Sequence, residues 1–80
     1  MYFEMKGICT FSSGVATAGS ENTLGHSSSA QECANMVIQK MPTANGVTWD
    51  TATEECFAEF EATSIGPDPF ASLQTCIFDD

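Results

Sequence analysis

The period of the hydrophobic pattern changes along this chain, and the changes separate predicted strands from a single predicted helix. Residues 2–11, YFEMKGICTF, alternate between a mainly apolar side, which includes Cys9, and a mainly polar side. Alternation with a period of two is typical of a strand with one buried face. Residues 12–29 show weak periodicity and are rich in serine, threonine and glycine, so we interpret them as a loop or a weak edge strand.

A helix is predicted between Ser29 and Pro42, because apolar residues recur there at three- and four-residue steps. These residues are Ala30, Cys33, Ala34, Val37, Ile38 and Met41. Ser29 and Glu32 match the Ser-x-x-Glu capping box, in which the serine accepts from a first-turn amide and the glutamate reaches back. The apolar stripe, with Cys33 in it, is predicted to pack against a sheet.

The second half of the chain predicts a hairpin and then one more strand. VTWD, residues 47–50, and CFAEFEA, residues 56–62, alternate as strands do, with a turn between them. SIGPDP breaks the regularity, and SLQTCIF, residues 72–78, gives the last strand. This order predicts an α+β fold, a small disulfide-stapled domain with one α-helix packed on a mostly antiparallel sheet. Residues 1–80 are predicted to form that single domain.

Four cysteines at wide spacing favour disulfide bonds over a metal site. Cys9, Cys33, Cys56 and Cys76 include no Cys-x-x-Cys pair, and His26 is the single histidine. A domain of this size buries only roughly 60% of the surface that its unfolded chain exposes, so covalent staples are expected. Three pairings are possible, and spacing alone does not choose among them.

The chain is strongly acidic, with two lysines, no arginine and a net charge of −9. Nucleic acids and anionic membrane surfaces attract clustered basic residues, so neither is an expected partner. The acidity favours either a cationic partner or solubility alone, and we prefer the second interpretation. No run approaches the roughly 20 apolar residues of a membrane span, so no membrane insertion is predicted. No Asn-x-Ser/Thr sequon occurs either, so N-glycosylation is not expected.

Candidate catalytic and metal-binding groups are few, and none has the spacing of a known site. His26 lies in a glycine- and serine-rich segment and is interpreted as an exposed loop residue rather than as a general base. The carboxylate pairs, interpreted as solvated surface, are Glu54/Glu55, Glu59/Glu61 and Asp79/Asp80. Asp50 clusters with Glu54 and Glu55 in the hairpin turn but without the spacing of an EF-hand loop. We therefore predict a protein that is not an enzyme and that uses no metal and no cofactor.

Four short motifs, in this order, resemble the PAN/apple domain family, whose extracellular modules pack one helix on a small antiparallel sheet. The motifs are SAQECANMV, ANGVTWD, ECFAE and LQTCIF, and the resemblance spans the chain from Cys9 to Phe78. It implies that Cys33 pairs with Cys56 and that Cys9 pairs with Cys76.

A further bridge of the PAN/apple family has no counterpart in this sequence. Its two positions fall on Val37 and approximately on Ala44, and neither is a cysteine. Because both partners are absent together, no orphan thiol remains, which agrees with a four-cysteine variant of the family.

The resemblance also implies a non-catalytic module, secreted or on the cell surface, that binds another protein or a second copy of itself. Large apolar residues left over after the buried faces are assigned are candidate contact residues. They are Tyr2, Phe57, Phe70 and Phe78. The competing interpretation is that they close a second small core under the loops.

Two other functions fit the same sequence. A carbohydrate-binding, lectin-like module would stack sugars on Trp49 and Tyr2, although Trp49 is also a natural core residue. A structural subunit of an extracellular filament or matrix would donate residues 2–11 as an edge strand to a neighbour. The hydroxyl-rich residues 12–29 would permit O-glycosylation, although turn chemistry is the preferred explanation of their composition.

Overall fold

The computed structural model describes residues 10–69 and 72–78, and in this part of the chain one helix lies against an antiparallel sheet. The elements are β1 (Ser12–Ser13), β2 (Val15–Thr17), β3 (Ser20–His26), α1 (Ala30–Lys40), β4 (Gly46–Asp50), β5 (Glu55–Phe60), β6 (Ser64–Gly66) and β7 (Leu73–Ile77). The predicted α+β class is confirmed. The strand predicted over residues 2–11 lies outside the described residues, except for residues 10 and 11, which belong to no strand.

The predicted hairpin and the predicted last strand form the centre of the main sheet. The strand order is β1-β7-β4-β5-β3, and each neighbouring pair is antiparallel. Val47 lies opposite Ala58 of β5 on one side and opposite Cys76 of β7 on the other. β2 and β6 pair in a separate two-stranded sheet. The two strands of the predicted hairpin and the predicted last strand therefore each have a partner strand on both sides.

Residues 12–29 contain three strands, so the loop interpretation of this segment is wrong and only the edge-strand alternative is correct. β3 pairs with β5 through residues 20–23 and again through residues 25 and 26, and it lies at the edge of the main sheet. The register shifts between Thr23 and Gly25, and Gly25 has a φ angle of 106°. A hydroxyl-rich segment without apolar alternation forms a strand here because β5 supplies the hydrogen-bonding partner.

The helix begins as the capping pattern predicts, with one difference. The Ser29 side chain accepts a hydrogen bond from the backbone N–H of Glu32 at 3.1 Å. The Glu32 carboxylate accepts from the backbone N–H of Ser28 at 3.0 Å and from the Ser28 hydroxyl at 2.8 Å. It therefore reaches one residue further back than a standard capping box. These bonds, the backbone one first, hold the pKa of Glu32 below its ordinary value.

The core lies between the apolar stripe of α1 and one face of the main sheet. Its buried residues are Cys33, Ala34, Val37, Ala44, Val47, Cys56, Ala58, Cys76 and Phe78. Many of these side chains are small, which lets the helix approach the sheet closely. The predicted packing of the helical stripe on a sheet is confirmed.

A disulfide bond between Cys33 and Cys56 joins α1 to the hairpin, with a Cα–Cα distance of 5.4 Å. This is the pair that the family resemblance implied. Cys76 is also disulfide-bonded. Cys9 lies outside the described residues, so its pairing with Cys76 stays a prediction.

Within the described part of the chain, no helix has the length and apolarity required to cross a membrane.

Candidate functional site

The face of the main sheet that points away from α1 carries a buried carboxyl group, that of Glu59. Cys56 and Ala58 of β5 belong to the core beneath α1, so the alternation of the strand directs Glu59 to the opposite face. Glu59 is only 3% exposed. The interpretation of Glu59/Glu61 as a solvated pair is therefore wrong for Glu59, although Glu61 is exposed.

The strands on either side of β5 place two different residues against Glu59. On the β4 side lies Gly46, and a Cβ added to that glycine would lie 3.5 Å from the Cβ of Glu59. On the β3 side, Glu21 lies directly opposite Glu59 in the register. Residues directly opposite in an antiparallel pair have Cβ atoms about 4.5–5.5 Å apart, and like charges in such positions repel. The fold thus brings together two carboxyl groups whose residues, Glu21 and Glu59, are far apart in the sequence.

A chain of hydroxyl groups lies beside Glu59 on the same face. The Thr75 hydroxyl donates to the backbone oxygen of Gly14 at 2.8 Å. The hydroxyl oxygens of Thr48 and Thr75 lie 2.8 Å apart, and both residues are buried. Since a hydroxyl has a single proton and that of Thr75 is given to Gly14, Thr48 is the donor in the bond with Thr75.

The environment of Glu59 favours the protonated carboxyl. Burial, and after it a hydrogen bond with the Glu21 carboxyl, raise the pKa of Glu59 to about 8, against an opposing contribution from the Thr48 hydroxyl. The Oε2 atom of Glu59 is buried and has no hydrogen-bond partner. A buried, ionised carboxylate without full hydrogen bonding is costly, so the neutral form is the stable one at neutral pH.

The outer edge of β3 is the second feature of interest. Ser20, Glu21, Asn22 and Thr23 are all exposed, and β5 is the only described strand that pairs with them. Beyond them, the register shift and the glycine at position 25 interrupt the strand. The edge therefore presents a short, regular stretch of four residues with backbone groups available on its outer side.

The candidate contact residues from the sequence do not form one patch. Phe78 is a core residue, 8% exposed, so its assignment to an exposed contact surface is wrong. Trp49 packs against the same core, and its indole N–H donates to the backbone oxygen of Ser27 at 3.2 Å. Phe57 is partly buried and opposes Thr48, on the face away from α1. Tyr2 and Phe70 lie outside the described residues.

The remaining polar candidates have structural surroundings of their own. His26 is exposed at the end of β3, opposite Glu55, rather than in a loop. The Asp50 side chain accepts from the backbone N–H groups of Ala52 and Thr53 and so closes the hairpin turn. Among the described residues, no group of three or more histidine, cysteine or acidic side chains could hold a metal ion.

Sequence reasoning missed Glu59 because its burial depends on strands that are distant in the chain. One signal was present: Glu59 shares its face of the predicted strand with the large apolar side chain of Phe57, as residues two positions apart do. Without the strand order, that signal cannot be separated from ordinary alternation.

Comparison with protein-family models, with curated proteins and with solved structures found no match to this chain. The resemblance to the PAN/apple family, which was based on short motifs, therefore stays a prediction.

Proposed function

We propose that this chain is a non-catalytic extracellular recognition module that binds an extended segment of another protein along β3. The observation that carries the proposal is the outer edge of β3, where exposed residues 20–23 pair with β5 on one side and with no described strand on the other. An extended segment added to such an edge forms main-chain hydrogen bonds, and its side chains then determine specificity.

The charge of the chain favours a basic partner over a second copy. Each molecule carries a net charge of −9, and like charges oppose the association of two copies. Glu21 lies in the edge strand itself, so a partner strand with lysine or arginine would gain complementary contacts. We therefore propose a basic, extended segment of a different protein as the occupant.

The disulfide bond supports an extracellular location for the module. Cys33 and Cys56 are fully buried and bonded to each other. Disulfides of this structural kind persist in oxidising environments and are rare in the reducing cytosol. Secretion or cell-surface exposure is thus the proposed setting.

Neither of the two alternative functions gains a supporting observation. A lectin-like site would rely on Trp49, whose ring packs against the core and whose N–H is already bonded to Ser27. A filament subunit would rely on residues 2–11, almost all of which lie outside the described residues, and on self-association against the charge repulsion of the chain.

A synthetic peptide of the same length as β3, alternating lysine and valine, tests the proposal. Titrated into the isotope-labelled protein, it should shift the backbone amide NMR signals of residues 20–23 in a saturable manner. A variant with Asn22→Lys and Thr23→Lys should lose this response, because lysines on an edge strand repel the basic peptide and block pairing.

A matched control separates pairing at the edge from general charge attraction. Asn35→Lys with Gln39→Lys makes the same change in net charge on the exposed side of α1, and it should keep the response at β3. Equal losses in the two variants, or shifts that are concentrated away from β3, would contradict the proposal.

A further inference from the structure

We propose that the carboxyl groups of Glu21 and Glu59 form a pH switch that controls how firmly β3 is held to the sheet. Together the two groups hold one proton at neutral pH, and the loss of this proton weakens the pairing of β3 with β5. The inference rests on the geometry of the face away from α1. It does not depend on the proposed function, although it concerns the same strand.

The first step is the position of the two carboxyl groups. Glu21 and Glu59 face each other across the β3–β5 pair, and Glu59 is 3% exposed with an unpartnered, buried Oε2 atom. Two ionised carboxylates at this separation repel, and the buried one would have little water to screen it. A single shared proton removes the repulsion and lets the two groups bond to each other.

The second step is the direction of the hydrogen bonds around Glu59. The Thr75 proton goes to the backbone oxygen of Gly14, so the Thr48 proton goes to Thr75. The Thr48 hydroxyl has given its single proton to Thr75 and has none left to donate to an ionised Glu59. Its lowering effect therefore does not outweigh the rise in the Glu59 pKa that burial and Glu21 cause.

The third step is the absence of a compensating cation among the described residues that surround Glu59. From β3 the facing ionisable group is Glu21, whereas Glu61 follows the end of β5 and is exposed to solvent. β4 and β7 contribute Gly46, Thr48 and Thr75, and neither β2 nor β6 has an ionisable side chain. The described basic groups lie elsewhere: Lys40 ends α1 on the other face, and His26 pairs with Glu55 at the far end of β3.

The sign of the pH dependence follows from these contacts. Unfolded, Glu59 has an ordinary glutamate pKa, near 4.3; folded, its pKa is raised to about 8 by burial and by Glu21. Below the unfolded value both states are protonated, and between the two values folding takes up a proton. Stability is therefore full at low pH and falls as the pH rises toward 8. The folding equilibrium constant changes by up to tenfold per pH unit in that window.

The strand that yields should be β3. It holds one of the two carboxyl groups and, among the described strands, it pairs only with β5, whereas β5 has β4 on its other side. Moving Glu21 away from Glu59 relieves the repulsion without separating the three central strands. Loosening at high pH is thus expected at β3 before it is seen at β7.

Carbon-13 NMR of the wild-type side chains tests the inference directly. The Glu59 carboxyl carbon, assigned by comparison with Glu59→Gln, should titrate with a midpoint well above pH 6. Hydrogen exchange of β3 amides, corrected for the intrinsic pH effect, should accelerate relative to β7 amides as the pH rises from about 6 to 9.

Two variants complete the experiment. Glu59→Gln, which keeps the shape of the neutral carboxyl, should abolish most of the pH dependence of urea unfolding between about pH 5 and 8. Glu61→Gln removes an exposed charge two residues away and should leave that dependence unchanged. If Glu59→Gln does not fold, the wild-type titration and exchange data decide the question. A Glu59 carboxyl that titrates below pH 5 in the folded protein, or equal pH slopes in wild type and a folded Glu59→Gln, would overturn the inference.

Discussion

At the turn between β2 and β3, Ala18 and Gly19 have positive φ angles of 65° and 73°. Only glycine adopts this left-handed region without strain. A Cβ atom on Gly19 would also overlap the backbone oxygen of Phe60. The turn is thus limited to glycine at one position and is strained by an alanine at the other.

Replacing these two residues should have opposite effects on stability. Gly19→Ala should lower the free energy of unfolding by about 2 kcal/mol or more, because the left-handed strain of a non-glycine residue adds to the overlap with Phe60. Ala18→Gly should raise it by about 0.5–1 kcal/mol, the relief of strain less the added entropy of the unfolded chain. Urea unfolding at constant pH measures both. Changes of the same sign would contradict the assigned backbone geometry.

Among the single elements, α1 is the one that the local sequence predicts most completely. Its apolar period, its serine cap and the proline after it are all contained in residues 29–42, so the predicted helix is close to the observed Ala30–Lys40. The detail that differs is the partner of Glu32, which is Ser28 rather than the backbone N–H of Ser29. Either amide lies within reach of the side chain, and sequence spacing does not choose between them.

The Ser29 cap should make a measurable contribution to stability. Ser29→Ala removes the acceptor for the Glu32 amide and should lower the free energy of unfolding by about 1 kcal/mol. Ser28→Ala removes only an exposed bond to the Glu32 carboxylate, so its effect should be smaller. Chemical denaturation of both variants gives the comparison, and a larger loss for Ser28→Ala would show that the capping role is misassigned.

β3 is an element that the local sequence pattern indicated only as one of two alternatives, a loop or a weak edge strand. Residues 20–26 lack the apolar alternation of a strand, and they are extended because β5 offers a full edge of backbone partners. Strand formation is a property of the pair rather than of the segment. The predicted hairpin was recognised because both of its strands carry their own alternation and are adjacent in sequence.

For the whole molecule, the bond between Cys33 and Cys56 connects the two layers of the fold. It closes a segment of 23 residues, which corresponds to about 3.4 kcal/mol on the loop-entropy relation. This is a large part of the roughly 5–15 kcal/mol that stabilises an ordinary domain. A small core made largely of alanine, valine and cysteine side chains makes this contribution more important.

Removal of this bond should weaken the whole fold. The double variant Cys33→Ala with Cys56→Ala should lose about 3.4 kcal/mol in the free energy of unfolding, with some further loss from the vacated side-chain volume. Thermal and urea unfolding under oxidising conditions measure the change. A double variant as stable as the wild type would show that the bond contributes little to the native state.

The sequence by itself determined the elements whose signals are local. The helix, the hairpin and the last strand follow from periodicity, capping and turn residues, and the family resemblance indicated the Cys33–Cys56 pair. The α+β class follows from the order of these elements. Each of these signals spans a few residues, which is the range over which backbone geometry repeats.

Only the tertiary structure decided which faces are covered and which edge is open. The burial of Glu59, its position opposite Glu21 and the core location of Phe78 depend on strands far apart in the chain. Alternation tells which residues share a face, but it does not tell what lies against that face. From the sequence alone, a glutamate on a strand is therefore predicted to be solvated. Its burial becomes evident only when the neighbouring strands that exclude water are known.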